Sequence, residues 1–285
     1  MGRGLSGAGA GPDLPILDAR SPAAFAAGHA PGAAHLPEES WNARMAELPP
    51  RELVFHVVGE DESDSARLAA LLAARGFAGA RAAPPACLGD RRETGPARAW
   101  LWQPSEWLIA CASALPLRGR ALDVATGSGR NAVWLAARGL SVCGFDLLPD
   151  ALVRARALAD HAGALRARFV IADATAPLPF RAGQFDLVCG FRYLDRALFP
   201  RLVPLLAPGG QILWETFTRE QANWGPPHRP EYLLESGELP RLCTAAGLVV
   251  EAARETVGPQ GPALAAVRAR RGARAFSLGT TARDE

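Results

Sequence analysis

The sequence contains no lysine: all 31 basic residues are arginine, set against 29 acidic ones for a formal net charge of +2. With the charges nearly balanced and no basic run before Arg268 to Arg271, nothing marks the chain as a nucleic-acid binder. No apolar run approaches the length of a membrane span, and the amino terminus lacks the apolar core of a signal peptide. Five cysteines (Cys87, Cys111, Cys143, Cys189 and Cys243) are scattered, odd in number and never at C-x-x-C spacing. That pattern speaks against a disulfide framework or a zinc site, and for reduced thiols and a cytoplasmic location. What is present, 49% hydrophobic and 21% charged residues over 285 positions, allows one large domain or two small ones.

The chain is organised around Arg120 to Asp146, RALDVATGSGRNAVWLAARGLSVCGFD. Ala121 to Ala125 is an apolar run of strand length, broken by Thr126 to Gly129. Asn131 to Arg138 carries apolar residues at helical spacing, and Gly139 stands where a helix end favours a left-handed residue. Leu140 to Phe145 reads as a second strand ending on Asp146. Gly127 and Gly129 let a ligand approach the backbone, and the following helix presents free N–H groups and a positive dipole end to an anionic group. Asp146 is placed to accept hydrogen bonds from ribose hydroxyls, so the pattern predicts a nucleotide-like ligand. Gly127 to Ala132 fits the dinucleotide pattern in its Gly/Ala variant, which would suit a nicotinamide-dependent oxidoreductase. Asp123, in D-x-x-x-G-x-G spacing, argues against that: a carboxylate there repels pyrophosphate and attracts a cationic amine. S-adenosylmethionine (SAM) combines an ammonium, a sulfonium and a carboxylate, matching the acid and the amides together.

On these residues the stretch resembles the seven-strand class I SAM-dependent methyltransferases. The resemblance implies an α/β, Rossmann-like methyltransferase sheet over residues 99–271, with SAM as cofactor and a small-molecule methyl acceptor. The cofactor-binding set it implies is Asp123, Ala125, Gly127, Gly129, Arg130, Asp146, Leu147, Asp173, Ala174 and Gly190, with Arg130 near the SAM carboxylate. Pro149 to Ala162 follows as a crossover helix, and Phe169 to Ile171 as a strand ending in Ala172-Asp173-Ala174. By the resemblance Asp173 accepts from the adenine amino group; by itself it reads equally as a turn or N-cap aspartate. Phe185 to Gly190 is the fourth strand, and the FRYLDR after it lines the acceptor pocket. Ala197 to Leu206 reads as a helix, LAPGG as a sharp turn, and Gln211 to Phe217 as the fifth strand, with Leu248 to Ala252 and Ala263 to Arg270 closing the sheet as an antiparallel pair.

Candidate catalytic residues are Arg192, to hold an anionic substrate, Tyr193, to orient it, and Glu215, at the carboxyl end of its strand where open α/β sheets bind ligands. Asn223 and His228 join them from the irregular insertion 219–240, which also holds Trp224, Glu235 and Glu238. GSGRNAVWLA, FRYLDRALFP and ETF followed by an N…P…GEL insertion resemble the tellurite-resistance-type branch of the family, implying a thiol or chalcogen oxyanion as acceptor. FRYL stands where amino-methylating enzymes carry Asn-Pro-Pro-Tyr, which argues against those substrates. Trp100, Trp102 and Trp107 precede a helix reaching Leu115; either they pack it down, or Trp102, Gln103 and Pro104 cover the cofactor.

The amino-terminal part differs in kind. Residues 1–12 are glycine-rich, and residues 13–83 contain Asp18, Arg20, Phe25, Gly28, His29, Pro31, Gly32 and Ala33 in a D-x-R…F…GH-x-PGA pattern. This resembles the rhodanese homology domain. A rhodanese carries its cysteine just after the central strand, here Leu53 to Val58, yet His56 or Val57 stands at that position. The loop that follows is acidic (Glu60, Asp61, Glu62, Asp64), the wrong sign for a thiolate. The reading is an inactive module for packing, recognition or homodimer formation, with His56 structural. Residues 84–98 read as a linker and 272–285 as a flexible tail. Two functions stand: a SAM-dependent methyltransferase acting on a small molecule, or a SAM-binding adaptor working through the non-catalytic module.

Overall fold

The computed structural model describes residues 14–272 except 43, 52, 89–91, 96, 98, 224 and 258–261. The glycine-rich start, Trp224 and the tail beyond Gly272 lie outside the described residues. Two compact units divide the chain between Gln103 and Pro104.

The first unit is a four-stranded parallel sheet in the order β2-β1-β3-β4, built from β1 (Ile16–Asp18), β2 (Ala34–His35), β3 (Phe55–Val58) and β4 (Ala80–Ala82). Helix α1 (Pro22–Ala27) starts on a Ser21 cap with proline in its first turn; α2 (Glu62–Ala74) starts on Asp61, whose side chain accepts from the Asp64 amide. Leu17, Trp41, Phe55, Val57, Leu68 and Leu72 are fully buried between sheet and helix. Within the stretch expected as a linker, Pro85–Leu88 makes a 3-10 turn and Glu93 bridges His29. Leu101 packs into this unit's core, and Trp100 stacks on Trp102 at 5.5 Å.

The second unit opens with the short helix α3 (Glu106–Ala110) and is a seven-stranded sheet in the order β10-β11-β9-β8-β5-β6-β7. Its parallel strands are β5 (Arg120–Val124), β6 (Ser141–Asp146), β7 (Ala167–Ile171), β8 (Phe185–Phe191) and β9 (Leu206–Phe217). β10 (Leu248–Thr256) and β11 (Leu264–Arg271) run antiparallel to each other, and β11 antiparallel to β9. Helices α4 (Arg130–Ala137) and α5 (Pro149–His161) make the crossovers from β5 to β6 and from β6 to β7. The chain builds outward through β6 and β7, then returns to the other side of β5 with β8 and β9. Open α/β sheets bind ligands in the crevice outside the carboxyl ends of their strands at such a reversal, which here falls between β5 and β8.

Two local readings are corrected. The helix expected over Ala197 to Leu206 is a 3-10 turn, the short α6 (Phe199–Leu202) and a second 3-10 turn, because Pro200 and Pro204 each remove an amide from the ladder. The LAPGG turn lies inside β9: Phe185 pairs with Leu206 while Leu187 pairs with Gln211, so Ala207 to Gly210 are absorbed as a register shift. Among the described residues no helix is long and apolar enough to cross a membrane.

Candidate cofactor and acceptor site

The turn after β5 is held in a shape ordinary residues resist. Ala125, Gly127 and Gly129 all have positive φ, 51°, 54° and 79°. The two glycines serve different ends. A Cβ added at Gly127 meets nothing within 4 Å, which leaves room above the backbone for a ligand. A Cβ at Gly129 lies 2.7 Å from Ala155 Cβ on α5, so helix packing alone already requires glycine there. The turn is braced from β6, since the Gly127 amide donates to Asp146 Oδ2 at 2.8 Å and the Leu148 amide donates to Oδ1 at 3.0 Å. Each carboxylate oxygen keeps a second lone pair for a further donor such as a ribose hydroxyl. Leu147 beside it is exposed.

Asp123 is 1% exposed and faces the turn. Thr126 Oγ1 donates to its Oδ2 at 2.5 Å, and the Cys189 thiol donates weakly to Oδ1 at 3.5 Å. Among the described residues no arginine pairs with it. Burial pushes its carboxyl up to about 6, opposed in part by the hydrogen bonds from Thr126, Cys189 and the Ala132 amide and reinforced by the charge of Asp146. The thiol of Cys189 is driven well above its ordinary range by the same burial and by Asp123. Among the described residues this acid is thus held by neutral donors alone.

Gly190, near the end of β8, is required by packing, because a Cβ there would come within 2.4–2.6 Å of the Trp214 ring. Arg192 follows with φ 59°, its amide donating to Glu215 O at 2.7 Å and its guanidinium lying 5.7 Å over the Phe217 ring. Such strain in a non-glycine residue clusters at functional sites. Tyr193 accepts from the Trp214 indole through its carbonyl at 2.9 Å, and its hydroxyl is pushed up by burial and by the nearby acids Asp195, Asp173 and Asp146. Asp173 accepts from both the amide and the hydroxyl of Thr175, at 2.8 and 2.7 Å, as a turn-capping aspartate does; Ala174 beside it is buried. Arg130 is the first residue of α4.

Glu215 is 3% exposed, and both its oxygens are engaged: Ser105 Oγ donates to one at 2.7 Å, and Arg254 lies 3.4 Å from the other. Asn223, whose amide donates to Glu220 at 3.3 Å, and His228 are both exposed on the insertion. No described contact joins either to the crevice. Ser105 and Arg254, which meet Glu215, and Asn131, which accepts from the Ser105 amide, escape sequence reasoning, because these contacts join positions up to 110 residues apart.

Comparison with known families sharpens this geometry. Residues 121–210 match the family model for a methyltransferase domain, and residues 5–82 the model for a rhodanese-like domain. The chain thus carries two matched domains, a rhodanese-like domain and a methyltransferase domain. The chain is 37% identical over 105 residues to the ribosomal protein L11 methyltransferase of Thermus thermophilus, a match covering 36% of this chain and 40% of that protein. An uncharacterized protein of Mycobacterium tuberculosis is 42% identical over 81 residues, 28% of this chain and 29% of its own length. The chain thus spans well under half the length of these curated relatives. A solved structure from work on the conversion of a disulfide bond into a thioacetal group during echinomycin biosynthesis aligns with a TM-score of 0.50 and 24% identity, covering 62% of this chain and 85% of that one. That likeness speaks for the fold, and the methyltransferase domain has the strand order described above.

Proposed function

We propose that the protein transfers a methyl group from SAM to a small, soft acceptor, a thiol or a chalcogen oxyanion as in the tellurite-resistance-type branch. The observation that carries the reading is Asp123: a buried acid without a cationic partner among the described residues, bonded to a glycine turn with open room above Gly127. Asp123 offers almost no surface of its own, so it acts on an ammonium through its field. At an effective dielectric of about 20 and a separation of about 6 Å, that attraction is roughly 3 kcal/mol.

SAM supplies an electrophilic methyl carbon on a sulfonium that leaves as a neutral thioether. The chain's own work is alignment and exclusion of water. The α4 amides and the Gly127 turn receive the amino-acid end, and Asp146 the ribose. Arg192 holds an anionic acceptor and Tyr193 orients it. Glu215 is already engaged on both oxygens, by Ser105 Oγ and by Arg254. An acceptor that ionises unaided suits such a site: a thiol is already a few per cent thiolate at neutral pH. The acceptor is therefore a small molecule carrying its own lone pair and charge.

The rhodanese-like domain carries no sulfane sulfur in this reading. His56 or Val57 stands at the cysteine position, and the loop after β3 spends its amides on its own side chains. Gly59 N donates to Ser65 Oγ at 2.8 Å, Glu60 N to Asp64 Oδ2 at 3.0 Å, and Asp64 N to Asp61 Oδ1 at 2.8 Å. The domain serves recognition or pairing of two copies, and the five free thiols suit a reducing cytoplasm.

The test is turnover of a labelled methyl group onto a panel of thiols, selenite and tellurite, with calorimetric titration of SAM and NAD alongside. SAM binding with methylation of at least one member supports the proposal. Binding without turnover onto any acceptor would favour an adaptor, and NAD binding in place of SAM would overturn the reading.

A further inference from the structure

Ser105 joins two parts of the sheet that the topology keeps apart. Its amide donates to Asn131 Oδ1 at 2.8 Å, on the second residue of α4 just past the glycine turn. Its hydroxyl donates to Glu215 Oε1 at 2.7 Å, near the carboxyl end of β9. Between β5, which leads into α4, and β9 lies β8. A residue bonded to both flanks therefore links the two sides of β8 near the point where strand order reverses. The far ends are pinned as well. The Trp107 indole donates to Val267 O on β11 at 3.1 Å, and the Arg254 guanidinium lies 4.9 Å over the Trp107 ring while reaching Glu215.

We propose that Ser105 is a positioning residue: it latches the Pro104–Ser105 segment as a strap across the crevice, and the strap sets how long SAM stays bound. The proposal rests on the methyltransferase reading above. It also gives Glu215 its role, as the anchor of the strap rather than a base. A hydrogen bond to a buried carboxylate is worth more than one between neutral groups, because losing its partner strands the charge. The same Ser105 hydroxyl accepts from the Trp107 amide at 3.1 Å and so caps α3. Cap and latch must therefore be separated experimentally.

Three variants of the full chain do so. Ser105→Ala loses cap and latch, Ser105→Thr keeps both, and Ser105→Asp keeps a capping oxygen while setting a second carboxylate against Glu215. The measurements are the SAM dissociation rate by stopped flow, KM and kcat, apo melting temperature, and hydrogen exchange of the amides at the start of α4. The strap predicts dissociation about tenfold faster in Ser105→Ala and Ser105→Asp, with KM for SAM rising more than kcat falls, and wild-type behaviour in Ser105→Thr. It also predicts faster exchange at Arg130 to Val133 without ligand. If Ser105→Ala melts lower yet releases SAM at the wild-type rate, Ser105 is only a helix cap and the strap is wrong. If the wild-type chain binds no SAM, the functional reading itself fails and takes the strap's role with it.

Discussion

The hydroxyl of Thr126 donates to the carboxylate of Asp123 across 2.5 Å, closing the glycine turn back onto the strand from which it springs. Through that bond the fold keeps an acid buried where no cation among the described residues meets it. The acid is costly to the empty protein and useful to a cationic ligand.

Asp123→Asn should therefore stabilise the ligand-free protein and weaken SAM binding. With the native carboxyl at about 6 against 3.8 unfolded, the folded state binds the extra proton between those values. The contribution of Asp123 to stability is thus greatest below pH 4, declines as pH rises from about 4 to 6, and stays lower by about 3 kcal/mol beyond. The gain from Asn should appear at pH 8 and largely vanish at pH 4, measured as melting temperature against pH. The SAM dissociation constant should rise about a hundredfold at pH 8, in calorimetry. A variant destabilised at pH 8 would show that Asp123 meets a cation within the protein.

The two glycines of the turn should fail in different ways. Gly129→Ala forces a Cβ against Ala155 at a left-handed φ and should cost roughly 3 kcal/mol of stability. Gly127→Ala carries only the backbone strain, roughly 1 kcal/mol, yet fills the room above the turn and should abolish SAM binding. Urea denaturation beside calorimetric titration distinguishes the two.

Arg192→Gln should raise the acceptor KM about tenfold and leave SAM affinity unchanged, since the side chain lies over Phe217 at the β8 and β9 ends. The effect should weaken for an uncharged acceptor. Equal KM values for charged and neutral acceptors in wild type and variant would remove Arg192 from the site.

In the first unit, Arg20 donates to both oxygens of the buried Asp18, at 2.9 and 2.6 Å, and to Gly28 O at 2.8 Å. Asp18→Ala strands a buried guanidinium and should cost about 3–5 kcal/mol in that unit's unfolding, followed by calorimetry. Introducing a thiol by Val57→Cys should yield no sulfurtransferase activity, because the Gly59 and Glu60 amides are already engaged by Ser65 and Asp64. Thiocyanate formation from thiosulfate and cyanide would contradict that.

Local pattern alone determined much of this protein. The strand–turn–helix–strand of Arg120 to Asp146, the Asp123 spacing and the D-x-R…GH-x-PGA stretch are legible because propensity, glycine conformation and capping act over a few residues. Periodicity failed where backbone chemistry overrode it: Pro200 and Pro204 split a helix whose apolar spacing looked continuous, and β9 swallowed a Pro-Gly-Gly that reads as a turn. Only the tertiary structure decided what the polar residues at the crevice do. Glu215 reads from sequence only as a polar residue at a strand's carboxyl end, and its engagement by Ser105 and Arg254, like the packing of Gly129 on Ala155 and of Gly190 on Trp214, is visible in the structure alone. The physical reason is distance along the chain: a side chain's chemistry is set by its neighbours in space, and those neighbours come from strands and helices that no local window contains.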